Sequence, residues 1–128
     1  MPPSILLIDD DPDSRQKAKQ FLQVAGYNIT EAEGENRAYE VVRSKKFDLA
    51  VVNLVLENSD SGFTLSHHFK QDYPMMPIVL LSSTVSEFGI EFLLESPAER
   101  SWIKADALLN KPIRPEQLLQ AVKRLVPP

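Results

Sequence analysis

Cysteine is absent from this 128-residue chain, which excludes a disulfide framework and thiolate chemistry and permits a reducing compartment. Runs of lysine or arginine are also missing, and the formal net charge is -4. The chain therefore has no electrostatic footprint for nucleic acid or for an anionic membrane. No apolar stretch approaches the roughly 18 residues that span a bilayer, and the N-terminus lacks the charged and apolar regions of a signal peptide. The expectation is a cytoplasmic protein with no membrane and no nucleic-acid partner.

What is present fits an ordinary globular protein, with 43% hydrophobic and 25% charged residues. The length suits one domain over 1–128 with a core large enough to fold alone, and leaves no room for an output domain. No repeats, low-complexity tracts or interdomain linker interrupt it.

Strand-like and helix-like stretches alternate along the chain. Ser4 to Ile8 is apolar and closes on "DDDPDS", where Asp11 can cap a helix that has Pro12 in its first turn. Ala18, Phe21, Leu22 and Ala25 then recur at helical spacing until Gly26, which is placed to end the helix. "YNITEA" reads as a second strand and Asn36 to Lys46 as a second helix, with Ala38, Val41 and Val42 on its apolar face. Asp48 to Leu54 is the third strand. A polar loop "ENSDSG" follows it, then a short helix from Phe63 to about Asp72.

"PIVLLSS" gives a fourth strand, and the chain reads as helix from Thr84 to about Glu95. Ala105 to Asn110 makes a fifth strand. A last helix begins at Pro115, with Leu118, Leu119, Val122 and Leu125 on one side. Five β-then-α repeats with continuously apolar strands predict an α/β fold, a doubly wound parallel sheet covered by helices on both faces.

In such a sheet, sites form outside the carboxyl ends of the strands. Those ends carry Asp9 and Asp10, Asn53, Ser82 with Ser83, and Lys111. Helix capping accounts for Asp11 but not for Asp9 and Asp10, since adjacent carboxylates converging on a crevice repel one another. A hard divalent cation such as Mg²⁺ is one natural partner and Lys111 a second. The third strand is the exception, because "FDLAVVNL" ends on an uncharged amide.

"ILLIDDDP", "FDLAVVNL", "MPIVLLSS" and "LNKPI" stand in the order and approximate spacing of the receiver domain of bacterial response regulators. The chain resembles that CheY-like (flavodoxin-like) family over nearly its whole length. The resemblance implies a five-stranded sheet of order 2-1-3-4-5 in three α/β/α layers. It puts the family's Mg²⁺-holding acidic pair on Asp9 and Asp10, its switch hydroxyl on Ser82 and its phosphoryl-pairing lysine on Lys111. A cis-proline would be Pro112, and the phosphoacceptor position falls on Asn53. Asp48 is not an alternative acceptor, because it begins the strand, roughly 16 Å from Asn53 at about 3.3 Å per residue.

An amide oxygen is no anionic nucleophile and forms no stable acyl phosphate, so phosphotransfer to Asn53 is not expected. Mg²⁺ affinity falls with the loss of one anionic ligand. The amide can instead donate to Asp9 or Asp10 and let the pocket stand without metal. Leu108 occupies the family's switch-aromatic position, Glu57 replaces its usual proline, and the segment around "ESPAERSWIKAD" is longer than usual. These changes lie on the face through which receivers signal, built from the fourth helix, fifth strand and last helix.

The implied function is two-component (phosphorelay) signal transduction by an atypical receiver that acts as a protein-interaction module and not as an enzyme. Its partners would be a histidine kinase, a phosphotransfer protein or an output protein, and a homodimer is compatible with it. A conventional phosphoaccepting regulator with an engineered or strain-specific Asp-to-Asn change at 53 is the second reading; the gene's own codon separates the two. A small enzyme on the same fold is the third. Against it, no histidine is placed to activate the hydroxyls of "SSTVSE", and the carboxylates of "DDDPDS" would repel a cofactor phosphate. His67 and His68 are read as a solvated pair that cannot share a metal. Trp102 is read as a core or loop anchor or a partner contact.

Overall fold

The computed structural model describes residues 2–53, 61–82, 106–110 and 114–128, and strands and helices alternate in it from Ser4 to Ser82. They are β1 (Ser4–Ile8), α1 (Pro12–Val24), β2 (Asn28–Ala32), α2 (Glu35–Ser44), β3 (Leu49–Asn53), α3 (Ser61–Asp72), β4 (Ile78–Ser82), β5 (Ala107–Asn110) and α4 (Pro115–Leu125). The helix expected over 84–95 lies outside the described residues. All four strand pairings are parallel, and the order is β2-β1-β3-β4-β5.

Side-chain alternation sorts the strand residues between two cores. Leu6, Ile8, Ala50, Val52, Ile78 and Leu80 pack with Ala38, Val41 and Val42 of α2 and with Leu65 and Phe69 of α3. Ile5, Leu7, Leu49, Val51, Val79 and Leu81 pack with Ala18 and Leu22 of α1 and with Leu118 and Val122 of α4. The central strands are buried on both faces, which explains why they read as unbroken apolar runs. Fully burying each such side chain stabilises the fold by about 1.5–3 kcal/mol before chain entropy is counted.

The helix ends follow local chemistry. The Asp11 carboxylate accepts from the Asp13 N–H at 3.1 Å, with Pro12 at the first helical position. Gly26 adopts φ 104° immediately after α1, a left-handed conformation that favours glycine. Helix α2 starts at Glu35 and stops at Ser44, not at Asn36 and Lys46, because Gly34 takes the cap position and Lys45 is extended. Strand β5 begins at Ala107, later than Ala105, because Asp106 turns its carboxylate onto the Ile78 N–H.

The amino ends of the strands are fastened by two matching clasps. The Ser4 N–H donates to Asp48 Oδ2 at 2.8 Å, and the Asp48 N–H donates back to the Ser4 carbonyl at 2.8 Å. Ile78 and Asp106 repeat both bonds at the same distances, and Lys70 Nζ adds an ion pair to Asp106 at 2.8 Å. Asp48 thus sits at the sheet end opposite Asn53.

Candidate functional site

Parallel pairing brings the carboxyl ends of β1, β3 and β4 to one edge. Ile8 stands opposite Val52, Asn53 opposite Leu81, and Ser82 opposite Asn110. Asp9 and Asp10 therefore leave β1 beside the end of β3. Asp9 is 1% exposed and Asn53 is 7% exposed, while Asp10 reaches solvent.

A buried carboxylate needs donors to offset its lost hydration. Asp9 Oδ1 accepts from the Asp11 N–H at 3.0 Å and from Asn53 Nδ2 at 3.2 Å. The same amide nitrogen donates to Asp10 Oδ1 at 3.4 Å. An amide nitrogen carries two protons, so one side chain can serve both acids. A carboxylate at 53 would instead put a third like charge at these distances.

Arg15 of α1 braces the turn from behind, a role the sequence did not disclose. Its Nη1 donates to the Asp9 carbonyl at 2.8 Å, and its Nε bonds Glu31 Oε1 at 3.2 Å. Lys19 Nζ joins Glu31 Oε2 at 3.1 Å. Burial pushes the Glu31 carboxyl up, but the hydrogen bonds and charges of Lys19 and Arg15 outweigh it and hold the group below its ordinary value. The visible signal was Arg15 and Lys19 at i, i+4 on α1. Their acidic partner becomes evident only once β2 lies beside β1.

The structure thus brings Asp9, Asp10 and Asn53 together and puts Ser82 at the same edge as the last residue of β4. The Ser82 side chain lies outside the described residues, as do Lys111, Pro112, Glu57 and Trp102. Leu108 pairs with Leu80 in β5, but its side chain is likewise not described. His67 and His68 are both exposed, as expected of a solvated pair, and His68 Nδ1 in addition lies 2.6 Å from the Tyr39 hydroxyl, linking α3 to α2. Among the described residues, no helix is long and apolar enough to cross a membrane.

Comparison with known proteins agrees with this geometry. The family described as "Response regulator receiver domain" matches residues 5–123. The chain is 27% identical over 125 residues to the phosphate regulon transcriptional regulatory protein PhoB of Pseudomonas aeruginosa, covering 96% of this chain and 51% of that protein. It is 29% identical to the transcriptional regulatory protein GltR of the same organism, covering 96% and 48%. The chain spans about half the length of these curated relatives. Among solved structures, chemotaxis protein CheY4 of Vibrio cholerae superposes with a TM-score of 0.82 at 25% identity, covering 98% of this chain and 100% of that one. A CheY-like receiver domain protein from Methanospirillum hungatei gives 0.81 at 25% identity, covering 97% and 93%.

Proposed function

The chain belongs to the response regulator receiver domain family, and from that membership we propose that it is an atypical receiver, a protein-interaction module of two-component signalling that is not phosphorylated at Asn53. The observation that supports this reading is the Asn53 amide bonded to both Asp9 and Asp10. A receiver accepts phosphate on an anionic oxygen. Here that position is a neutral nitrogen donor facing the acids, and the acid pair is satisfied from within the protein.

Mg²⁺ is the cation the family implies for this pocket, and the donor set accepts it in reduced form. Asp9 and Asp10 would hold it with hard anionic oxygens, and Asn53 would add its amide oxygen after turning its nitrogen away from the acids. Bound there, the cation neutralises the acid pair. One ligand charge fewer than a three-carboxylate pocket, together with the loss of two hydrogen bonds on turning the amide, lowers its affinity.

The module acts in the cytoplasm without catalysing a reaction of its own. Its partners are a histidine kinase, a phosphotransfer protein or an output protein, met through protein surfaces and not through nucleic acid. The test is incubation with a small phosphodonor and Mg²⁺, followed by intact-mass measurement. The expected result is no phosphoryl gain on the native chain and at least partial gain on Asn53→Asp. A phosphoryl group on any residue of the native pocket overturns the reading.

A further inference from the structure

Between α1 and α4 lies a cavity of about 230 Å³ that the acid pocket does not use. Its floor is apolar, formed by Ala18 and Phe21 of α1, Leu81 of β4 and Leu118 of α4. Ala18, Leu81 and Leu118 are themselves buried core residues, so the floor is held by the packing beneath it. Among the described residues the rim carries two acids, Asp11 and Asp13, and two bases, Lys17 and Arg114. All four are exposed, and none forms an ion pair among the described residues. Asp11 Oδ1 also serves the cap of α1, accepting from the Asp13 N–H.

This rim discriminates by charge. An anion meets Lys17 and Arg114 but also Asp11 and Asp13; a cation meets the reverse conflict; a hydrocarbon covers the floor and uses none of the four. The complement is one small molecule that carries both charges on an apolar body. The volume lies below the roughly 300–1,000 Å³ of pockets for drug-sized ligands, which limits the occupant to a small metabolite.

We propose that the cavity binds a free α-amino acid with an apolar side chain. Its carboxylate pairs with Arg114, whose planar fork suits two oxygens, and with Lys17. Its ammonium pairs with Asp11 and Asp13, and its side chain lies on Phe21, Leu81 and Leu118. Exposed rim charges contribute little affinity each, so the apolar floor carries most of the binding and the rim carries the selectivity. Asp11 directly follows Asp10 and Leu81 directly precedes Ser82, so the occupied cavity abuts the turn and strand end that carry the acid pocket.

The test is titration of the full chain, followed in amide NMR spectra, with L-phenylalanine and L-leucine, and with phenylacetate and phenethylamine, which each lack one charge. The expected result is saturable shifts at Ala18, Phe21 and Leu118 for the amino acids, with at least tenfold weaker binding of the single-charge analogues. The double charge reversal Lys17→Glu with Arg114→Glu, whose exposed side chains leave the melting temperature unchanged, should weaken amino-acid binding by tenfold or more. Three results overturn the proposal: no saturable shift at tens of millimolar amino acid, equal binding of the analogues, or unchanged binding by the doubly reversed variant.

Discussion

Both ends of the sheet hold carboxylates, and they are satisfied in different ways. At the amino end, Asp48 and Asp106 each take a backbone N–H from the first residue of a neighbouring strand. At the carboxyl end, Asp9 takes a backbone N–H too, but Asp9 and Asp10 also share a side-chain donor, the Asn53 amide. A backbone donor is lost only on substitution by proline, so the donors at the amino end are nearly independent of residue identity. A side-chain donor changes with any substitution, so the two bonds that Asn53 gives the acids depend on its identity.

Exchanging acid and amide at each end tests this contrast most strongly. Asn53→Asp, with Mg²⁺ chelated, should lose about 2–3 kcal/mol, because two hydrogen bonds to charged groups become repulsions. Excess Mg²⁺ should recover much of that loss by binding the folded state. At the other end, Asp106→Asn keeps an acceptor oxygen for the Ile78 N–H and should cost less than about 1 kcal/mol. Asp106→Ala should cost about 1.5 kcal/mol, having lost both that bond and Lys70. Urea unfolding of the three variants measures all of these. A costly Asp106→Asn beside a neutral Asn53→Asp would reverse the comparison.

A smaller effect separates the two helical faces. The Tyr39 phenol is pushed up to about 12, first by burial and then by the charges of Glu35 and Asp72. Its protonated form is favoured in the folded state, so its contribution is complete below the ordinary value of 10.0 and is lost as pH rises toward 12. Absorbance titration should show Tyr39 ionising well above an ordinary tyrosine, with the late component reduced in Tyr39→Phe to what buried Tyr27, also pushed up by burial, contributes.

The smallest effect concerns the brace behind the acids. Glu31 titrates below its ordinary 4.5, so the Arg15 and Lys19 pairing stabilises the fold above that pH and fades as pH falls through the lowered value. The pair is partly exposed, and Glu31→Gln should cost less than about 0.5 kcal/mol at neutral pH and nothing in acid. Thermal melts across that range check both limbs.

The strands were legible because burial on both faces writes itself as apolar runs, and β1 runs from Ser4 to Ile8 as read. The acid–amide pocket was legible because parallel sheets put their sites at strand ends. The Asp106 clasp was not, since the expected strand order puts β4 beside β5 without giving the register that sets Asp106 against the Ile78 N–H. Arg15 was hidden for a related reason: it bonds a main-chain carbonyl, which has no residue identity to recognise. The Tyr39–His68 contact joins two helices whose facing sides depend on the whole sheet order, so neighbouring positions on α3 alone suggested only solvation.

The buried Tyr27 hydroxyl donates to the Val126 carbonyl at 2.7 Å, a bond between residues 99 positions apart. On a ribosome adding about 5–20 residues per second, Tyr27 emerges on the order of ten seconds before its partner is made. Through that interval Leu118 and Val122 are absent, and the α1 face of β1 and β3 lacks half its cover. Of the side chains that cover Ile5, Leu7 and Val51 on that face, Ala18 and Leu22 of α1 are thus made early and Leu118 and Val122 of α4 late, so the two halves of one cover are separated in time as well as in sequence.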